Sequence, residues 1–381
     1  MIPANIEDYR ILAKRRLPKF LFEYIDGGSF SETTLRNNCS DLQNIGIRQR
    51  VLRDISAIDM SCELLGEKLS MPVVLGPVGI AGLNARRGEV LAAQAAEERG
   101  VPFTLSTVSA CSIEEVRAKT QKPLWFQLYM IKDRGFLNAM LDRAIASDTS
   151  TLMFTVDMPV PSSRYRDIRS GLSGGSMLRR QTARVLQSMV KPSWAWDVGI
   201  CGRPHSLGNV APVLGDNAGI DEFWTWMGQN FDASVTWKTL EIIREKWKGK
   251  LIIKGILDPE DALNAKALGA DGVVVSNHGG RQLDGALSSI KALPPIANAL
   301  QGDLEILLDS GVRSGLDVVR AIASGADAVV LGRAWVYGLA AMKKQGVLNV
   351  LDILANEMRV AMALSGCRNL SEITPEILVK P

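Results

Sequence analysis

The sequence predicts an α/β protein folded as a (β/α)8 TIM barrel, and three observations carry that expectation. Eight short, apolar, β-rich runs recur from Met71 onward. Amphipathic helical patterns separate all but one neighbouring pair, the alternation expected of βα units around a parallel sheet. Each run also ends in a polar residue or glycine, where such barrels carry their chemistry. The runs are MPVVL from Met71, PFTLS from Pro102, LWFQL from Leu124, TLMFTV from Thr151, LIIK from Leu251, GVVVS from Gly272, EILLD from Glu305 and AVVLG from Ala328. Between them, stretches such as EVLAAQAAEERG and DPEDALNAKALGADG repeat Ala and Leu at helical spacing and stop at glycine. Eight units favour a closed barrel over an open doubly wound sheet.

Two segments stand outside the rhythm. Residues 1–70 read as a mostly helical N-terminal cap, with FLFEYIDGGS a helix end stopped by Gly27 and Gly28. Residues 165–236 read as an insertion or lid after the fourth strand, holding one basic helical pattern, SMLRRQTARVLQSMV. The whole chain, 1–381, is expected to form one barrel domain with these two additions.

Composition excludes several classes. With 46% hydrophobic and 22% charged residues, the chain is neither disordered nor fibrous. A net charge of +3 gives no case for nucleic acid. Five scattered cysteines without a CxxC pair point to reduced thiols, and no metal site is expected. No signal-peptide core or spanning apolar run is present, so a cytoplasmic compartment is expected. The charge is local, however. Eight basic residues (Arg164, Arg166, Arg169, Arg179, Arg180, Arg184, Lys191 and Arg203) face only Asp167 and Asp197, so the stretch from Arg164 to Arg203 carries +6.

The strand ends supply candidate chemistry in order: Pro77-Val78-Gly79, Ser106, Gln127 with Tyr129, Thr155 with Asp157, Lys254, Ser276 with His278, Asp309 with Ser310, and Gly332 with Arg333. Ser, Asp and Gly also form ordinary turns, but Gln, Tyr, Lys and His do not. Of the two histidines, His205 and His278, only His278 ends a strand, in SNHGGRQLDG. A histidine there could merely cap a turn. With an ordinary pKa of about 6.5 it can also accept a proton near neutrality, and two following glycines would let a ring approach the backbone. Arg281 offers a planar fork for a carboxylate, against the alternative of a surface ion pair. The Gly-rich turns DSGVRSG and LGRAW follow the seventh and eighth strands and open helices, the arrangement that binds phosphate in these barrels, with Arg313 and Arg333 adding positive charge. A buried Lys254 would be costly unpaired, so a bound anion is expected beside it. A Schiff-base aldolase with Lys254 as nucleophile fits the same lysine and phosphate site.

Taken together, SNHGGRQLDG, PVGIAG with RRGE, LSTVSACSIEEV, WFQLY, FTVDMP, IKGILDPEDA and DSGVRSGLDVVRAIASGADAVVLGR resemble the FMN-dependent 2-hydroxy-acid dehydrogenase/oxidase family. The resemblance spans nearly the whole chain and lies closest to the bacterial membrane-associated L-lactate dehydrogenase branch. It implies FMN as cofactor, and it implies roles. His278 would be the base, with Asp157 holding its imidazolium. Arg281, Tyr24, Tyr129 and Arg164 would bind the substrate carboxylate and neighbouring groups. Lys254 would stand near the flavin N1. Ser106, Gln127 and Thr155 would bond the isoalloxazine and Pro77, Val78 and Gly79 would pack on its face. Ser276, Asp309, Ser310, Gly311, Arg313, Gly332 and Arg333 would complete the cofactor site.

The same resemblance implies L-lactate as the small 2-hydroxy acid, a quinone or other respiratory acceptor, a homotetramer, and a peripheral place on the cytoplasmic side of the cell inner membrane. Val108 would form a small apolar wall suited to a methyl group. The basic insertion, with Trp194 and Trp196, suits an anionic membrane surface, and a solvated lid is the other reading. The rival within the class is an oxygen-using oxidase of the lactate, glycolate or mandelate type. A non-catalytic binding barrel would leave His278, Arg281 and Asp157 without a purpose.

Overall fold

A computed structural model describes residues 1–202, 207–215 and 220–379. Arg203 and His205, singled out above, lie outside the described residues. The eight expected runs form eight parallel strands: β3 (Val73–Leu75), β4 (Thr104–Ser106), β5 (Trp125–Tyr129), β6 (Thr151–Thr155), β7 (Lys250–Ile256), β8 (Gly272–Val275), β9 (Glu305–Asp309) and β10 (Ala328–Leu331). They pair in sequence order from β4 to β10, and β10 returns to β3. A single parallel pair, Leu75 with Phe103, closes the ring between β3 and β4. This is a (β/α)8 barrel.

Helices pack outside the strands, and their starts follow from local capping. Asp133 accepts from the Phe136 N–H and opens Arg134–Ala146. Asp258, followed by Pro259, opens Pro259–Ala267, and Ser314 accepts from the Asp317 N–H and opens Gly315–Ala323. Each cap satisfies a donor that the first helical turn leaves without a partner.

The first 70 residues are less helical than expected. Helices Ile6–Arg16, Lys19–Asp26 and Thr33–Gln43 are followed by an antiparallel hairpin, β1 (Cys62–Leu64) and β2 (Glu67–Leu69). The hairpin is too short for its alternation to read clearly in sequence, and tertiary burial holds it. Leu64, Leu65 and Leu69 join Val74, Trp125, Met153, Ile252 and Leu307 in one apolar cluster inside the barrel. They lie at the N-terminal mouth, where Glu67 accepts from Trp125 Nε1 and Ser150 Oγ beside the strand starts. Leu64→Ala should cost about 2–5 kcal/mol by removing a fully buried leucine. A thermal melt unchanged from the parent would show that the hairpin is not part of the core.

Between β6 and β7 the chain is largely helical, with Tyr165–Ser170, Met177–Met189, Ala211–Leu214, Ile220–Asn230 and Trp237–Lys246. The expected basic helix starts at its Ser176 cap and buries none of its residues. Asn209 ties this stretch to the barrel: its amide donates to Ser106 O at 3.1 Å and Ser109 Oγ at 2.9 Å, and it accepts from the Ile113 N–H. Trp194 does not face outward as expected. It is 7% exposed and donates to Leu83 O, whereas Trp196 is 66% exposed. Much of the +6 is also internally paired, since Arg180 and Arg184 both meet Asp221, and Arg166 meets Glu23 and Asp26. Among the described residues no helix is long and apolar enough to cross a membrane.

Candidate active site

Strand register decides which side chains share a level. Ser106 pairs with Gln127, and Tyr129, Thr155 and Lys254 align across β5, β6 and β7. After Lys254 the β7–β8 register shifts, and Gly255 sits there at φ +108. A Cβ on Gly255 would lie 2.6 Å from the Asp157 Cβ, so this glycine makes room for the carboxylate.

That carboxylate holds His278. The imidazole Nδ1 lies 2.8 Å from Asp157 Oδ1, and both side chains are largely buried. Burial pushes the imidazole below its ordinary 6.5, opposed by Asp157. Burial would raise Asp157, but His278 and Lys254 keep it below the ordinary carboxylate value. At neutral pH the pair is therefore a carboxylate with a neutral imidazole whose Nε2 is left as a base.

His278, Gly279 and Gly280 all have left-handed backbone, with φ of +57, +68 and +71. The glycines are needed for the close approach of neighbouring protein groups. A Cβ on Gly279 would collide with the Arg333 guanidinium, and one on Gly280 with the Leu35 backbone. The turn is pinned from behind by a buried reciprocal amide pair. Asn38 donates to Asn277 Oδ1 at 2.8 Å and Asn277 donates to Asn38 Oδ1 at 2.7 Å, while the Gly280 N–H also bonds Asn277.

Lys254 is 4% exposed, and its counter-ion is a protein group, contrary to the expected bound anion. Its Nζ lies 3.0 Å from Asp309 Oδ2 and 2.9 Å from Ser276 Oγ, and Ser276 donates to the same carboxylate at 2.8 Å. Burial would lower the ammonium, but Asp309 and Asp157 hold it above its ordinary value. A lysine so protonated is a poor nucleophile, which disfavours the Schiff-base alternative. Its fixed charge suits stabilisation of an anion.

Four arginines crowd the same end. Arg281 lies over the Tyr24 ring at 4.8 Å and donates through Nη1 to the carbonyls of Tyr24 and Gly27. Arg164 bonds Arg281 O at 3.4 Å, and burial with the neighbouring Arg281 charge lowers it to about 10. Arg333 donates to Ile25 O, Gly27 O and Gly279 O, so three of its five N–H groups hold the helix end while the side chain also lines the cleft. Burial, with the nearby Arg281 and Arg313, lowers it to about 10. The Arg313 guanidinium donates to the adjoining Val312 O, and its backbone N–H donates to Asp317 Oδ2. Arg164 and Arg333, lowered by burial and by neighbouring guanidinium charge, call for anions among them.

These groups face one cleft of about 1060 Å3. Of the residues named from the sequence, Tyr24, Pro77, Val78, Gly79, Tyr129 and Thr155 line it. So do Arg164, Lys254, His278, Arg281 and Asp309, with Ser310, Gly311, Arg313, Gly332 and Arg333 at the β9 and β10 turns. Asp157, Ser106, Gln127 and Ser276 stand one layer behind. Val108 lines the cleft as expected, beside Met158 and Met227, which sequence reading did not single out.

Glu89 was also missed. Its buried carboxylate accepts from the Gly82 and Ala110 N–H groups, both at 2.9 Å, and so clamps the two turns bearing Gly79 and Val108. Nothing in its helical setting marks it as more than a first-turn acid. Among the described residues, the buried Gln127 Nε2 and Thr155 Oγ1 have no hydrogen-bond partner. Such orphaned groups beside an apolar floor, next to a cationic end, fit a flat heteroaromatic ring that carries a phosphate.

Comparison with known proteins agrees. A family described as FMN-dependent dehydrogenase matches residues 13–380. The chain is 59% identical over 379 residues to the L-lactate dehydrogenase of Haemophilus influenzae (strain PittEE), covering 100% of this chain and 99% of that one. It is 58% identical over 380 residues to the L-lactate dehydrogenase of Ectopseudomonas mendocina (strain ymp), covering 100% of both. Among solved structures it superposes on a monotopic membrane protein, (S)-mandelate dehydrogenase, with a TM-score of 0.93 and 36% identity over 100% of both chains. With matching sequence, fold and cofactor-sized cleft, the chain belongs to the FMN-dependent dehydrogenase family.

Proposed function

We propose that this chain oxidises L-lactate to pyruvate and passes the electrons to a quinone or other respiratory acceptor. The observation that carries the reading is the His278–Asp157 pair facing the same cleft as Arg281 and Arg164. Arg281 and Arg164 bind the substrate carboxylate, Arg281 through the edge of its guanidinium not engaged by the carbonyls of Tyr24 and Gly27. Tyr24 and Tyr129 flank the carboxylate. His278 takes the hydroxyl proton on Nε2, and Asp157 favours the imidazolium that results.

FMN, when bound, supplies the electron sink that no side chain offers. Gln127, Thr155 and Ser106 would hold its ring, Pro77 to Gly79 its face, and Ser276, Asp309 to Gly311, Arg313, Gly332 and Arg333 its ribityl and phosphate. Lys254 would keep a positive charge beside it. Val108, Met158 and Met227 leave an apolar wall for the substrate methyl group. The test is anaerobic addition of L-lactate to the yellow protein, which should bleach its visible band while D-lactate does not. Failure of L-lactate to bleach it, with bleaching by (S)-mandelate instead, would move the chain to the aromatic substrate of its structural relatives.

The insertion supports a peripheral membrane role, which we place on the cytoplasmic face. Leu178 (76%), Leu186 and Met189 are exposed along helix Met177–Met189, none of whose residues is fully buried, near exposed Trp196 and Arg179. Each large apolar side chain moved from water gains about 1.5–3 kcal/mol at full burial. A triple Ser variant at Leu178, Leu186 and Met189 should therefore pellet with anionic vesicles at least about tenfold less, with lactate bleaching intact. Equal pelleting would leave this helix as a solvated lid.

A further inference from the structure

We infer that the electron acceptor, a neutral planar quinone, binds in a second cleft that shares the Tyr129–Thr155–Met158 wall with the substrate cleft but opens on its other side. The inference rests on the lactate and FMN reading above and concerns where the electrons leave. The second cleft, of about 880 Å3, lies between the ends of β6 and β7, the chain at 232–237 and the starts of helices Trp237–Lys246 and Pro259–Ala267. Tyr129, Thr155 and Met158 line both cavities, so the partition is one side chain thick.

Charge separates the two. The substrate cleft holds Lys254, Arg164, Arg281, Arg313 and Arg333. Among the described residues, the second cleft is lined by no lysine, arginine or histidine, and its charged side chains are Asp232 and Asp261. Asp232 is paired with Arg134, which leaves Asp261 and the lack of a lining cation to disfavour a carboxylate or phosphate there, while a neutral ligand meets no such cost. Trp237, with the shared Tyr129, supplies aromatic surface suited to a flat ring, backed by the buried Phe154 and Leu240.

The chemistry balances. Lactate loses its α-hydrogen and hydroxyl hydrogen as its C–O bond becomes C=O, two electrons and two protons in all. The quinone gains two electrons and two protons, its two carbonyls becoming hydroxyls. Separate clefts also mean that the quinone need not wait for the 2-oxo acid to leave.

The test uses the FMN-loaded full chain and a short-chain azidoquinone. Photolabelling should map to residues 232–240 and Met158, and excess L-lactate should not compete it away. Ala233→Trp, at an exposed position on the cleft rim, should slow recovery of the bleached band by short-chain ubiquinone about tenfold or more, the effect of about 1.4 kcal/mol lost in binding. Its bleaching by L-lactate and recovery with ferricyanide should stay at parent values. Trp237→Phe, which keeps an aromatic wall, should stay within a few-fold of parent. Labelling in the arginine-lined cleft or on helix Met177–Met189, or quinone recovery unchanged in Ala233→Trp, would overturn the assignment. If L-lactate fails to bleach the protein, the substrate reading fails, and the labelling map still decides whether this cleft takes a quinone.

Discussion

Replacing His278 with Gln is expected to lower kcat by about 100- to 10,000-fold, the usual contribution of a positioned general base. The protein should remain yellow, because His278 is held by Asp157 and its removal leaves Lys254, Asp309 and the β9 and β10 turns in place. The pH profile provides a second readout. Burial places the imidazole below its ordinary 6.5, so kcat/KM should rise with pH through a value under 6.5 and then level off as the base becomes fully neutral. That acid limb should be lost in the variant. Turnover within a few-fold of the parent, or an acid limb that persists, would assign the base elsewhere.

Arg281→Lys should lower kcat and raise KM together, with kcat/KM down by about 100-fold for an ångström-scale displacement of the substrate. The guanidinium is oriented on two fronts, stacked on Tyr24 at 4.8 Å and bonded to Gly27 O at 3.0 Å. A lysine ammonium is a point charge without the planar fork, so it cannot keep those contacts and also hold a carboxylate in one pose. A rise in KM alone would mean that Arg281 binds substrate without aligning it. Unchanged kinetics would place it outside the reacting geometry.

Much of the barrel was legible because βα units write themselves into sequence. Parallel strands buried on both faces read as continuous apolar runs, and each helix carries its own periodicity and cap. The strand-end rule then located His278, Lys254 and Asp309 without knowledge of any contact. The hairpin at 62–69 was not legible, since three-residue strands have too few positions to show alternation and are stabilised by burial inside the barrel mouth. Glu89, Asn38 and Met227 were equally hidden. Their positions look ordinary locally, and their value comes from partners 7 to 239 residues away or from the cleft they face.

By itself the sequence determined the (β/α)8 class, the order of the strands, the end of the barrel that carries chemistry and the residue types found there. Those follow from periodicity, capping and side-chain chemistry, all local properties of the chain. Only the tertiary structure decided how those residues pair. Lys254 found Asp309 rather than an external anion, and Arg333 placed two of its donors on the end of helix Lys19–Asp26. The glycines after His278 admitted Arg333 and Leu35, and Trp194 turned inward while Trp196 stayed out. A charged or aromatic side chain is satisfied by whichever group the fold brings within reach, and that distance is set by strand register and helix packing over the whole chain.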